Sequence, residues 1–208
     1  MIEKQLFEHL DEFFDEYGYE LVPHRKQWRS DDDIGCSNII LSVSGNNPAI
    51  IEVNLGVRIH RVEETLARFT NGIKNFSEDS NTLVTSIGRI QGEPFHHYEA
   101  ATKQDVINVA RQITSFMEEE GIDFLDNLMD ITVLDELFNS EPEEKVPYIY
   151  NDIHRCFRGL ILAQFNNNPH FFLIWTVYRE YLEKRNAPES VQQRFEELYR
   201  YLHTFSMN

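Results

Sequence analysis

The period of the hydrophobic pattern changes once, sharply, between residues 59 and 60, and that change limits what this chain can fold into. Ile51, Val53, Leu55, Val57 and Ile59 alternate with Glu52, Asn54, Gly56 and Arg58, the two-residue period of a strand with one apolar face. Val62, Leu66, Phe69, Ile73 and Phe76 then follow at intervals of four and three, which predicts a helix with one apolar stripe. Upstream, Ile39, Leu41 and Val43 alternate with Ile40, Ser42 and Ser44 until Gly45-Asn46-Asn47-Pro48 interrupts the run. The two strands read as a hairpin. A hairpin and a helix in direct succession are expected to share a core.

The flanking segments extend this unit. Ile2, Leu6, Leu10, Phe13 and Tyr17 mark an amphipathic first helix, with Gly18 placed to stop it. Tyr19 to Arg29 alternates weakly around Pro23, as an edge or irregular strand does. Leu83 to Ile90 reads as a further strand and Gln91 to Ala101 as a loop. Thr102 and Asp105 have the spacing of a capping box ahead of a helix through Val106, Val109, Ala110, Ile113 and Phe116, which Gly121 is expected to end. Short helical pieces are predicted at Asp123–Met129 and Thr132–Phe138, and Pro142 and Pro147 mark a connection.

Beyond that connection the chain is helical. Ile149, Ile153, Phe157, Leu160 and Ile161 form one stripe. Phe172, Trp175, Tyr178 and Leu182 mark a second helix, and Val191, Phe195, Leu198, Leu202 and Phe205, spaced four and three apart, a third. No shared pattern at a fixed period makes them a solenoid. The expected fold is α+β: a mostly antiparallel sheet of three to five strands with helices on one face, then a C-terminal three-helix unit. An α+β domain at 1–140 and a helical unit at 145–208, packed as one body, are the expected divisions.

Charge narrows the choice of partners. Over 208 residues, 35 acids against 19 Lys and Arg leave a formal charge of -16, which disfavours the polyanionic surfaces of nucleic acids and membranes. The two cysteines are far apart, and the acidic, amphipathic N-terminus does not read as a secretory leader, so a reducing cytoplasm is the expected compartment. Asn75-Phe76-Ser77 matches a glycosylation sequon, which has no use there.

Between Arg111 and Lys145 the sequence contains no Lys or Arg but many acids, among them Glu118, Glu119, Glu120, Asp123, Asp126, Asp130, Asp135 and Glu136. Such a run serves as a solvated face or as a docking surface for a basic protein. A second cluster, basic and aromatic, contains Trp28, Arg58 and Arg61, with His24, Arg25, Lys26, Arg29, His60 and Arg68 near in sequence. It is a candidate anion or ligand site, or else it pairs with the surplus acids.

Catalytic signatures are weak. Asp31-Asp32-Asp33 and Glu52-Val53-Asn54 follow the layout of a restriction-type nuclease core, but Asn54 stands where that chemistry needs a lysine to steady the attacking water. His96 and His97 point opposite ways on an extended segment and cannot easily share one ion. Neither a nucleophile elbow nor a phosphate loop is present. No cofactor or metal is expected.

The segment AIIEVNLGVRIHRVEETLARF, preceded by NIILSVS, resembles the core of uncharacterised bacterial α+β domains, some of which occur beside secreted polymorphic toxins as immunity proteins. The resemblance covers about Phe7 to Ile90 and rests on a strand ending in Asn-Leu-Gly followed by a helix. It implies a small acidic cytosolic protein that binds and blocks a toxin, and it brings no catalytic residues. The expected function is therefore non-enzymatic binding of a basic protein. The alternatives are an anion or small-molecule sensor and, third, a degenerate metal-dependent nuclease.

Overall fold

The structure, a computed structural model, describes residues 2–70 and 80–205. In chain order the elements are α1 (Ile2–Glu16), β1 (Glu20–Val22), β2 (Gln27–Asp31), β3 (Gly35–Ser44), β4 (Ala49–Ile59), α2 (His60–Thr70), β5 (Leu83–Ser86), α3 (Ile87–Ile90), β6 (Tyr98–Ala100), α4 (Lys103–Phe116), α5 (Ile122–Leu128), α6 (Ile131–Asn139), α7 (Asp152–Phe165), α8 (Phe171–Lys184) and α9 (Glu189–Phe205). The fold is α+β, and its contacts divide into two compact units. One is Met1–Val57 with Leu83–Asn127, the other Arg58–Thr82 with Leu128–Asn208.

The first unit holds a six-stranded antiparallel sheet in the order β1-β2-β3-β4-β5. The last strand, β6, pairs with Ala49–Ile51 of β4, while β5 pairs with Asn54–Val57 of the same strand. The alternation that opened the sequence is realised as burial: Ile51, Val53, Leu55, Val57 and Ile59 are all inside, and Glu52 faces solvent. Trp28 is the organising side chain of the other half. Its strand neighbours are Leu21 and Ile39, and the Phe7 and Phe14 rings of α1 lie 4.9 and 4.6 Å from it. The indole N–H, which needs an acceptor once buried, donates to Asp11 Oδ1 at 2.9 Å. At Gly18, with φ +79°, α1 stops: Gly18 N–H donates to Asp15 O and Tyr19 N–H to Phe14 O, which satisfies two orphan carbonyls of the last turn.

In the second unit α7 is the central helix, lying against α2, α6, α8 and α9. Every residue from Arg155 to Ala163 is buried, because a helix surrounded on all sides has no solvent stripe. The single stripe expected from Ile153, Phe157 and Leu160 therefore understates its burial. The helix α2, with Val62 and Leu66 buried, lies against α7 and α9. Its predicted continuation through Ile73 and Phe76, and the sequon at Asn75, fall outside the described residues.

Four local expectations differ from the structure. Leu83–Ile90 is not one strand: Ser86 accepts the Arg89 N–H, and α3 begins there. Gly88 permits that turn, since a Cβ would stand 2.4 Å from Glu93 O. The segment Gln91–Ala101 is not all loop, because Tyr98–Ala100 pairs with β4 as a strand too short to show a period. Gly121 does not end α4; the chain continues through a π turn, Met117–Gly121, into α5. There a Cβ would stand 2.6 Å from Met117 Sδ, so the glycine serves a close approach. Finally, α8 buries Ile174, Tyr178 and Leu182 while Phe172 stands in solvent. The capping box forms as read: Asp105 N–H donates to Thr102 Oγ1, and the Asp105 carboxylate accepts the Thr102 N–H.

Candidate functional site

One groove in the second unit joins the acidic run to partly exposed apolar side chains. It has a volume of about 380 Å³ and is built by the outer face of α6 and the segment after it. Val133, Leu137, Val146 and Pro147 supply its apolar lining, and Glu136, Glu141 and Glu144 stand along it against a single Lys145. All three glutamates are exposed. On the adjoining face of α6, Leu134 and Phe138 are buried in the second unit's core.

The wall formed by residues 138–144 is held from beneath. Arg155 of α7 is buried, and its guanidinium donates to three main-chain carbonyls: Phe138 O from Nε and Nη2 at 3.1 and 2.8 Å, Glu141 O at 3.0 Å, and Glu144 O. A planar fork of five donors suits this task, because it fixes several acceptors at once. Its charge also lies behind the main chain of two acidic residues, Glu141 and Glu144, which offsets part of the repulsion between them.

Beside Arg155 is a buried polar network. Asp135 Oδ1 accepts the Asn139 amide at 2.6 Å, and Oδ2 accepts those of Asn166 and Asn168 at 2.7 and 2.8 Å. The same Asn139 amide reaches Gly159 O at 2.8 Å, and the Tyr178 hydroxyl lies 2.6 Å from Asn139 Oδ1 and 2.8 Å from Phe138 O. Burial pushes the Tyr178 hydroxyl well above its ordinary pKa, so it stays a donor. These bonds tie α6 to α7, α8 and the Asn166–Asn168 turn.

The candidate residues separate accordingly. Glu136 belongs to the groove wall. Asp130 caps α6, accepting the Thr132 N–H at 2.7 Å. Asp135, 2% exposed, does not belong to a docking surface, since its carboxylate serves the three asparagines. Glu118, Glu119 and Glu120 are exposed on the π turn of the first unit, as are Asp123 and Asp126 nearby. The anion cluster does not hold as read. Trp28 is fully buried in the first unit's core, and Arg58, in the second unit, donates to Ser80 O and lies 4.0 Å from Glu63. Arg61 is exposed, its guanidinium 4.8 Å from the Phe165 ring centre. Several of the other bases pair with acids, as Lys26 does with Glu3 at 2.6 Å and Arg29 with Asp31.

Arg155 was missed by sequence reasoning, because an arginine on a predicted helix gives no sign that it will point inward at carbonyls. The groove did leave a trace: Val133, Glu136, Leu137 and Ser140 are spaced along one helical face. Among the described residues no group of three His, Cys, Asp or Glu is placed to hold a metal ion, and no helix is long and apolar enough to cross a membrane. Comparison with protein-family models, curated proteins and solved structures finds no match.

One titration bears on this unit. His154 follows the cap of α7, where Asn151 Oδ1 accepts its N–H at 3.2 Å. Burial, and then the Arg158 charge, push its imidazole down to about 4 from 6.5. The folded state thus resists a proton that the unfolded chain takes up near its ordinary pKa. His154 therefore costs nothing above about pH 6.5 and removes stability as pH falls from there toward 4. His154→Asn is expected to flatten this part of the profile, read as urea midpoints at several pH values. Parallel profiles for the two proteins would refute it.

Proposed function

We propose that the chain is a non-enzymatic binding protein whose groove on α6 receives a basic, partly apolar segment of a protein partner. The observation that carries this reading is the groove itself: three exposed glutamates flank an apolar floor, and Arg155 already fixes the backbone of the wall beside it at Phe138, Glu141 and Glu144. Fixing the receptor before contact lowers the ordering cost of binding. The net charge of -16 works in the same direction, since it speeds encounter with a cation and turns away polyanions. Blocking a basic toxin is the most specific form of this function, and it rests on the resemblance of the hairpin and its following helix to immunity-protein domains.

The test uses a defined probe and the native partner together. A labelled peptide alternating Lys and Leu is expected to bind the wild-type protein at low salt. Binding should weaken by about tenfold or more in the Glu136→Lys, Glu141→Lys double variant, because each reversal replaces an attraction with a repulsion. Protein captured from the native lysate at low salt should be lost in the same variant. Equal affinity of wild type and variant for the peptide would remove the groove from the binding surface.

A further inference from the structure

We infer that the solvent face of α8 is where two copies of this chain meet, helix against antiparallel helix across a two-fold axis. Among the described residues Phe172 and Leu173 are the one adjacent pair of large apolar side chains standing in solvent, 64% and 55% exposed. Thr176 and Val177 carry that face one turn further, both partly exposed. The support beneath is aromatic: the Phe172 ring lies 5.3 Å from that of Trp175, which stacks on Tyr199 at 4.2 Å. Rigid rings at the surface give contact area at little entropic cost, and interfaces are enriched in them.

Charge decides what covers this face. Two copies that each carry -16 repel wherever acids meet acids. The first eight residues of α8, FFLIWTVY, carry no charge, and the whole helix balances Glu180 and Glu183 with Arg179 and Lys184. A basic partner gains no Coulomb attraction here, whereas a second copy finds a surface on which it is not repelled. The antiparallel arrangement adds a favourable term. With the axis at Thr176, residue 180 of one helix lies opposite residue 172 of the other, so Glu180 approaches the amino end of the facing helix. His170 leaves that end without a side-chain cap, and an acid there is favoured by the helix dipole. Thr176 itself suits the axis. It is small, and its hydroxyl already donates to Phe172 O at 2.9 Å, so close approach strands no polar group. One patch meeting itself is the closed, isologous contact typical of homodimers.

Sedimentation equilibrium over a wide concentration range tests this. The full chain is expected to show a concentration-dependent dimer, and Leu173→Glu to weaken it by tenfold or more while leaving the circular dichroism unchanged, since that side chain is exposed. Thr176→Cys should cross-link with itself under an added oxidant, because the axis brings the two copies of this residue within disulfide reach. The native Cys36 and Cys156 are buried and do not confuse the result. A protein that stays monomeric at every concentration overturns the inference. So does a dimer that survives Leu173→Glu and does not cross-link through Thr176→Cys.

Discussion

Glu63→Ala is expected to destabilise the protein by about 3 to 5 kcal/mol, the range for removing one partner of a buried ion pair. Glu63 is 4% exposed and Arg158 likewise 4%, and they meet as a fork: Nε to Oε1 at 2.7 Å and Nη2 to Oε2 at 2.8 Å. Thr82 adds a third bond, donating to Glu63 Oε1 at 3.0 Å while it accepts the Ile59 N–H. Without the carboxylate, the Arg158 charge remains inside α7 with its anion gone. Urea denaturation of the full chain reads the loss. The control is the double variant Glu63→Leu, Arg158→Met, expected to recover most of it, because a well-packed apolar pair avoids the desolvation of both charges. A loss below about 1 kcal/mol in the single variant would mean that Arg158 swings out to water, and the pair would not be what joins α2 to α7.

The second large effect belongs to Asp135. Asp135→Ala takes the acceptor from three asparagine amides at once, and each donor stranded away from water costs about 1 to 3 kcal/mol. With Asn166 and Asn168 only partly buried, the expected total is about 3 kcal/mol. Asp135→Asn should fall between the two proteins: it keeps the shape and one acceptor but presents an amide to donors. The same unfolding curves decide this, and an asparagine variant as stable as wild type would show that the carboxylate charge adds nothing to the network. Loss of Asp135 should also loosen the groove, because Asn139 and Tyr178 lose their anchor beside Phe138.

The difference between these residues and the hairpin explains what the sequence could convey. Ile51 to Ile59 announce a half-buried strand because backbone geometry alone sends alternate side chains to opposite faces. Trp28, Glu63, Asp135 and Arg155 announce nothing, since a polar or amphipathic side chain is read as exposed unless its partner is known. Their partners lie far off in sequence: 95 residues separate Glu63 from Arg158, and 31 separate Asp135 from Asn166. For the same reason Trp28, beside Arg25, Lys26 and Arg29 in sequence, suggested a ligand surface when its own surroundings are Phe7, Phe14 and Ile39. The helix α8 buries Tyr178 and Leu182 as expected but not Phe172, and that difference has another cause. Its first turns are apolar all round, and such a run fits several registers equally well.

Arg155 holds Phe138, Glu141 and Glu144 by their carbonyl oxygens and by no side chain. Every residue offers the same carbonyl, and any but proline does so on much the same local backbone, so positions 141 and 144 can change sign, length or hydrophobicity while the contour of the wall persists. Shape and chemistry are thereby uncoupled at this edge of the molecule. Descendants of the chain are free to exchange one partner for another by substitution alone, without having to invent a new loop.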